Sequence, residues 1–145
     1  MTEVSFHHHV PNRMTHACRL VRKAVGSGIK VVVTGDAGVL RQFDRELWTF
    51  GQLEFIPHAY TQTGTEPEAV RSPVLLSPSP AVATHQQMLI NLGGPIPEGF
   101  ERFEKLIEVV TEEQEDAQAA RRRFRHYADR GYAIERHDMT PRGGN

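Results

Sequence analysis

Cysteine is almost absent from this chain, since Cys18 is the only one in 145 residues. A single cysteine excludes an internal disulfide and any cysteine-rich zinc site. At about 100° per residue, Cys18 shares a helical face with the apolar residues Met14, Val21 and Val25. We expect a small buried hydrophobe, because a nucleophilic cysteine needs a base and an accessible, electropositive setting.

Long hydrophobic runs and an excess of charge of one sign are also missing. The chain has neither an 18-residue apolar run nor a signal-peptide pattern, which predicts a soluble protein that stays in the cytoplasm. Lysine and arginine total 17 against 18 acidic residues, giving a formal net charge of -1. The whole molecule therefore has no field that would gather nucleic acid, and an electrostatic partner has to bind a local patch.

Length and composition predict one globular domain. Hydrophobic residues make up 39% of the chain and charged residues 24%, which is enough apolar material for a single core and argues against wholesale disorder. We place the domain at residues 1–138 and a flexible tail containing proline and glycine at residues 139–145.

Apolar periodicity predicts alternating strands and helices. The expected strands are residues 4–10, 30–34, 53–59, 74–76, 87–92, 106–110 and 133–137. The expected helices are residues 14–25, 39–50 and 111–129, with a short helix around Phe100 and Phe103. Asp36 is the expected N-cap of the second helix, and residues 61–72 and 77–86 are expected to be loops. The pattern predicts a three-layer α/β domain with a mostly parallel or mixed central sheet flanked by helices.

The sequence offers no convincing site for chemistry. Successive strand side chains point to opposite faces, so only His7 and His9 of the run at residues 7–9 can cooperate, and no carboxylate lies nearby in sequence. Residues 35–38 lack the third glycine of a dinucleotide site and the Gly-Lys-Ser/Thr of a phosphate loop. We predict no catalytic residue, no cofactor and no metal; a nucleotide-dependent enzyme using residues 35–38 is a lesser alternative.

Residues 121–127 are the most concentrated signal, because they read Arg-Arg-Arg-Phe-Arg-His-Tyr after an acidic run at residues 112–116. On a helical wheel Phe124 lies on an apolar face, and Arg121 and Arg125 flank it. The other residues of that face are Ala117, Ala120, Tyr127 and Ala128. An aromatic edge bordered by two guanidinium groups suits an acidic peptide that carries an aromatic ring. The simpler alternative is that these charges only complement the helix macrodipole.

The remaining polar residues of this segment are not expected to take part in binding. They are Arg122, Arg123 and His126.

A second candidate surface surrounds the only tryptophan. Trp48 lies about 130° away from the centre of the apolar face of its helix, and exposed aromatic residues mark interfaces. Phe55 and Pro57 share one face of the strand that follows, and a proline within a strand favours an edge position. Trp48, Phe55 and Pro57 are therefore expected to form an apolar patch at a sheet edge, unless a neighbouring loop covers them.

Four segments, taken in order, resemble the chi subunit family of bacterial DNA polymerase III holoenzyme. They are Phe6 in the first strand, Arg45-Glu46-Leu47-Trp48, Phe55-Ile56-Pro57-His58, and Arg123-Phe124-Arg125-His126-Tyr127 closing toward Gly131-Tyr132. The likeness spans nearly the whole chain. It implies a Rossmann-like fold that uses no nucleotide, and a nonenzymatic accessory subunit of the clamp-loader assembly, cytoplasmic and located at replication forks on the nucleoid.

The resemblance also implies two partners. Family members bridge the psi subunit and the acidic C-terminal tail of single-stranded DNA-binding protein, and they contact DNA only indirectly. The family pattern assigns psi to Trp48, Phe55 and Pro57. It assigns the tail to Arg121, Phe124 and Arg125. The family usually has tyrosine at the position of Phe124, so a phenolic hydrogen bond is lost here while stacking and charge remain.

One rival interpretation is a direct single-stranded nucleic-acid binder. In it, the arginines of residues 121–127 contact phosphates while Phe124 and Tyr127 stack on bases. The neighbouring acidic run and the neutral total charge argue against it.

Overall fold

The computed structural model describes residues 1–50 and 56–141. Within them the strands are β1 (Glu3–Val10), β2 (Val31–Thr34), β3 (Ala59–Tyr60), β4 (Val74–Leu76), β5 (Met88–Asn91), β6 (Lys105–Thr111) and β7 (Ile134–Asp138). The α-helices are α1 (Arg13–Gly26), α2 (Ala37–Thr49), α3 (Pro67–Arg71) and α4 (Gln114–Asp129). Two short 3-10 helices span Pro80–Val82 and Phe100–Arg102.

One seven-stranded sheet runs through the molecule in the order β3-β4-β2-β5-β6-β1-β7. Every pair of neighbouring strands is parallel. The predicted α/β class is confirmed, and the sheet is parallel throughout the described residues rather than mixed. All residues of β2 are buried, as an unbroken valine run inside a parallel sheet requires. The edge strands are β3 and β7.

Two apolar layers cover the faces of this sheet. Val31 and Val33 belong to one layer and Val32 to the other, because successive strand residues alternate. Helices α1 and α2 pack in the first layer, and α4 packs in the second. The three-layer prediction is thus confirmed. No helix among residues 1–50 and 56–141 combines the length and the apolar character needed to cross a membrane.

Cys18 lies in the first layer with only 1% of its surface exposed. Burial raises the pKa of its thiol to about 12. Its burial confirms the prediction of a core cysteine. A thiol that stays protonated is also a poor nucleophile.

Aspartate side chains form hydrogen bonds near the starts of α2 and α4. Asp36 Oδ1 accepts a hydrogen bond from Val39 N at 2.9 Å, which confirms the predicted N-cap. Helix α4 was expected from residue 111 but begins at Gln114, because Thr111 still belongs to β6. The Thr111 N–H and hydroxyl donate to Asp116 Oδ2 at 2.8 and 2.9 Å, which fixes the turn between strand and helix.

The strand predicted at residues 53–59 is wrong for residues 56–58, and residues 53–55 lie outside the described part of the chain. Strand β3 begins only at Ala59, which pairs with Leu75. Pro57 has no N–H to donate to a ladder. His58 bonds locally instead, with its Nδ1 2.7 Å from the Ile56 carbonyl oxygen.

Both segments predicted to be loops contain short helices. Helix α3 lies within residues 61–72, and the 3-10 helix Pro80–Val82 lies within residues 77–86. Each begins with a proline, whose fixed φ suits the first helical position. Thr61 is buried and organises the first segment, since its hydroxyl contacts Glu66 and accepts a hydrogen bond from Gly64 N at 2.7 Å.

The end of the described chain lies against β1. Met139 N donates a hydrogen bond to the His8 carbonyl at 2.8 Å, just beyond the end of β7. The domain boundary at residue 138 stays a prediction.

Candidate functional site

A buried carboxylate fixes α4 to the sheet. Glu108 lies in the middle of β6 and has no exposed surface. Its Oε1 accepts a hydrogen bond from Arg123 Nε at 2.9 Å, and its Oε2 accepts one from the Tyr127 hydroxyl at 2.6 Å. The Asn91 amide donates to both oxygens at 3.0 and 3.2 Å. Arg123 Nη1 also donates to the Gly94 carbonyl at 2.6 Å, so one guanidinium joins helix, sheet and loop.

This network gives Arg123 a role that the sequence analysis missed. Arg123 is 2% exposed and lies inside the protein rather than on its surface. Burial raises the pKa of the Glu108 carboxyl, and the Arg123 guanidinium opposes that rise. Of the residues that the wheel placed on one apolar face, Tyr127 is fully buried, whereas Ala128 is exposed. The sequence signal for this network is Glu108, a single glutamate inside an otherwise apolar stretch of β6.

An open groove of about 690 Å³ borders α4, and we call it the arginine groove. The three residues predicted for tail binding, Arg121, Phe124 and Arg125, all line it. The remaining apolar lining residues are Phe6, Val110, Ala117 and Ala120. The remaining polar lining residues are His8, His9, Thr111, Glu112 and Arg136. The groove therefore combines an apolar floor with a cationic rim.

The Phe124 ring is held between two elements distant in sequence. Its centroid lies 5.3 Å from that of Phe6 in an edge-to-face arrangement. Arg136 lies on β7, and its guanidinium carbon is 4.5 Å from the centroid of the Phe124 ring, a cation–π contact. The sequence did not identify Arg136 as a groove residue. A signal was present, because residues two apart in a strand share a face and Ile134, two residues earlier, is half-buried against the α4 layer.

The groove is positive although the whole chain is nearly neutral. Three arginines line it, against Glu112 as its one carboxylate among the described lining residues. None of the ion pairs in residues 1–50 and 56–141 involves Arg121, Arg125 or Arg136. The acidic run does not neutralise the groove fully, because Asp116 pairs with Arg13 at 3.0 Å.

Arg122 and His126 lie outside the arginine groove. They line a neighbouring depression of about 360 Å³. The other residues of that depression are Arg121, Arg125, Asp129 and Arg130.

The consecutive histidines do not follow the alternation that the sequence analysis assumes. His7 faces α1, where its Nδ1 lies 2.8 Å from His16 Nε2, and burial lowers the pKa of His7 to about 4. His9 has a left-handed backbone φ of 59°, and the β1 register shifts between His7 and Val10. His9 therefore lies beside His8, with ring centroids 4.7 Å apart, on the groove wall. The expectation that His7 and His9 are the pair able to cooperate is wrong.

The second candidate surface is the Trp48 patch, formed by Trp48 and Pro57. Trp48 is 57% exposed, as its wheel position predicts, and Pro57 is exposed too. The Trp48 ring lies 5.0 Å from the His58 ring, whose Nε2 is 2.8 Å from Asp44 Oδ1. Phe55, predicted for the same patch, lies outside the described residues.

The arginine groove and the Trp48 patch lie on different sides of the molecule. The groove is built on β1, β6, β7 and α4. The patch joins α2, in the opposite layer, to the segment before β3, the edge strand farthest from β7. Ligands bound at the two surfaces would therefore not compete for space.

Two comparisons with known proteins match most of the chain. The family model described as "DNA polymerase III chi subunit, HolC" matches residues 1–135. The chain is also 34% identical to DNA polymerase III subunit chi of Pseudomonas aeruginosa over 128 residues, which are 88% of this chain and 87% of that protein.

Proposed function

Because the chain belongs to the family of DNA polymerase III chi subunits, we propose that it is a nonenzymatic accessory subunit that bridges two partners. These are the psi subunit of the clamp-loader assembly and the acidic C-terminal tail of single-stranded DNA-binding protein. Family membership confirms the resemblance drawn from the sequence. The observation that carries the bridging proposal is the arginine groove, an apolar hollow bordered by three arginines on a chain with a formal net charge of -1.

The groove provides the chemistry that an acidic tail ending in phenylalanine requires. The terminal ring packs against Phe6 and Phe124, and the carboxylates of the tail pair with Arg121 and Arg125. Exposed ion pairs contribute about 1 kcal/mol or less each. We therefore expect a micromolar dissociation constant that rises with salt concentration.

The Trp48 patch supports the assignment of the second partner. Trp48 and Pro57 are both exposed, and the Trp48 ring contacts His58, the residue that follows Pro57 just before the edge strand β3. Tryptophan is enriched among residues that dominate binding energy. Since the patch lies away from the arginine groove, psi and the tail are able to bind together, as a bridge requires.

The rival, direct binding to single strands, loses one of its two stacking groups. Tyr127 is fully buried and donates its hydroxyl to Glu108, so it cannot stack on a base. A gel shift with bare single strands and with strands coated by the binding protein separates the two proposals. The bridge predicts a shift only for coated strands; equal affinity for bare strands would favour direct binding.

Replacing Trp48 with alanine is expected to weaken binding to psi by about 2 kcal/mol, because a buried tryptophan contact is lost from the interface. Binding of the acidic peptide is expected to stay unchanged. The measurement is retention of single-stranded DNA-binding protein on immobilised psi, which the unmodified chain mediates and Trp48→Ala does not.

The matched control for this experiment is Val70→Ala, which trims another apolar residue that is 57% exposed. Normal retention with Trp48→Ala would contradict the psi assignment. Loss of both psi and peptide binding would indicate general unfolding, which circular dichroism detects directly.

A further inference from the structure

The turn at His9 brings together side chains that a regular strand would separate. In an undisturbed strand His9 would share the α1 face with His7. Its left-handed φ of 59° turns it toward His8 instead. A non-glycine residue in this region is strained by about 1 kcal/mol or more, so the surrounding contacts must hold it there.

A carboxylate from β7 completes the cluster. Asp138 pairs in register with His8, and its Oδ1 lies 3.0 Å from His9 Nδ1. Thr140 orients that oxygen, since its N–H and hydroxyl donate to Asp138 Oδ1 at 2.9 and 2.6 Å. These two hydrogen bonds fix the carboxylate in position beside His9.

We propose that His8, His9 and Asp138 bind one divalent transition-metal ion of the zinc type at the wall of the arginine groove. One ligand atom from each residue lies within 4.8 Å of the others. Two imidazoles and one carboxylate form the kind of donor set that zinc accepts, whereas calcium and magnesium prefer oxygen ligands alone.

The distances fit such an ion with small side-chain movements. Zinc bonds of about 2.0–2.2 Å in a tetrahedron separate ligand atoms by about 3.4 Å. The His9 and Asp138 atoms already lie 3.0 Å apart, so the ion replaces the proton between them. His8 is only half-buried and closes the remaining distance by a ring rotation. Three protein ligands leave a fourth position open for water.

The alternative for these residues is a plain hydrogen bond between His9 and Asp138. That contact involves only His9 and Asp138 and leaves His8 without a role. The metal proposal uses all three, and it does not depend on the partner assignments made above.

Isothermal titration of the metal-free chain with Zn²⁺ alone tests the site. We expect one ion per chain, and a loss of affinity of at least about tenfold in both His8→Ala/His9→Ala and Asp138→Asn. Cobalt titration adds a spectroscopic readout, because visible absorption bands report the coordination of the ion. Asp138→Asn changes an exposed residue, so it remains informative if the double variant fails to fold.

The matched control is His16→Ala/His137→Ala, which removes two histidines that lie around His7 instead. It is expected to bind zinc like the unmodified chain. The proposal is overturned if the unmodified chain binds no zinc at micromolar concentrations, if Asp138→Asn binds it unchanged, or if the control double variant abolishes binding.

Discussion

Replacing Arg123 with alanine is expected to lower the free energy of unfolding by about 3–5 kcal/mol, because it leaves the buried Glu108 carboxylate without its cation. Arg123 is 2% exposed and Glu108 has no exposed surface. The hydrogen bond to the Gly94 carbonyl is lost as well. Few substitutions of one residue have an effect of this size, and those that do usually break a buried polar network.

Urea unfolding followed by far-ultraviolet circular dichroism measures this effect. Arg122→Ala is the matched control, since Arg122 is the exposed neighbour on the same helix, and a change within about 0.5 kcal/mol is expected there. The double variant Glu108→Gln/Arg123→Met should recover much of the lost stability, because it removes the buried charge together with its partner. Equal stabilities of Arg123→Ala and Arg122→Ala would contradict the structural role of the network.

The double variant Arg121→Ala/Arg125→Ala is expected to weaken binding of an acidic, phenylalanine-ended peptide by about 2–3 kcal/mol, or roughly 30- to 150-fold. Each arginine loses an ion pair of about 1 kcal/mol, and both aliphatic stems lose packing against the bound ring. Stability should change little because both side chains are exposed. Fluorescence anisotropy of a labelled peptide measures the change.

The matched control removes two arginines of the same neighbourhood that lie outside the arginine groove. Arg122→Ala/Arg130→Ala makes the same change in net charge, and both residues line the neighbouring depression instead. If the control weakened binding as much as Arg121→Ala/Arg125→Ala, the peptide would be responding to general positive charge and the groove assignment would be wrong.

Most helices and strands could be predicted from the sequence because each is specified by residues close together in the chain. The valine run of β2 and the Asp36 cap depend on a few neighbouring residues. The order of the strands depends on distant pairs, such as Val4 with Leu106 on one side and Ile134 on the other. No periodicity in a single sequence specifies those pairings, so the sheet order could not be predicted.

One wall of the arginine groove could be predicted from the sequence because its residues lie on a single helix. Arg121, Phe124 and Arg125 lie three and four residues apart on one helix, and a wheel places them together. The opposite wall comes from Phe6 on β1 and Arg136 on β7. These residues join the groove only because β7 lies beside β1, which required the sheet order.

The remaining errors each have a physical cause. The alternation rule failed at His9 because its backbone adopts a left-handed conformation, which hydrophobic periodicity alone does not specify. The strand predicted through Pro57 failed because proline has no N–H to donate to a ladder. Glu108 was passed over because its partner, Arg123, was interpreted as one more surface arginine.

The central claim is that the arginine groove binds an aromatic ring and carboxylates together. Isothermal titration of the unmodified chain with an acidic peptide ending in phenylalanine, alongside the same peptide ending in alanine, tests it most directly. We predict micromolar binding of the first peptide and binding at least about tenfold weaker for the second, because burial of a phenylalanine side chain contributes about 1.5–3 kcal/mol. Equal affinities for the two peptides would contradict the claim, since the groove would then bind charge without the ring.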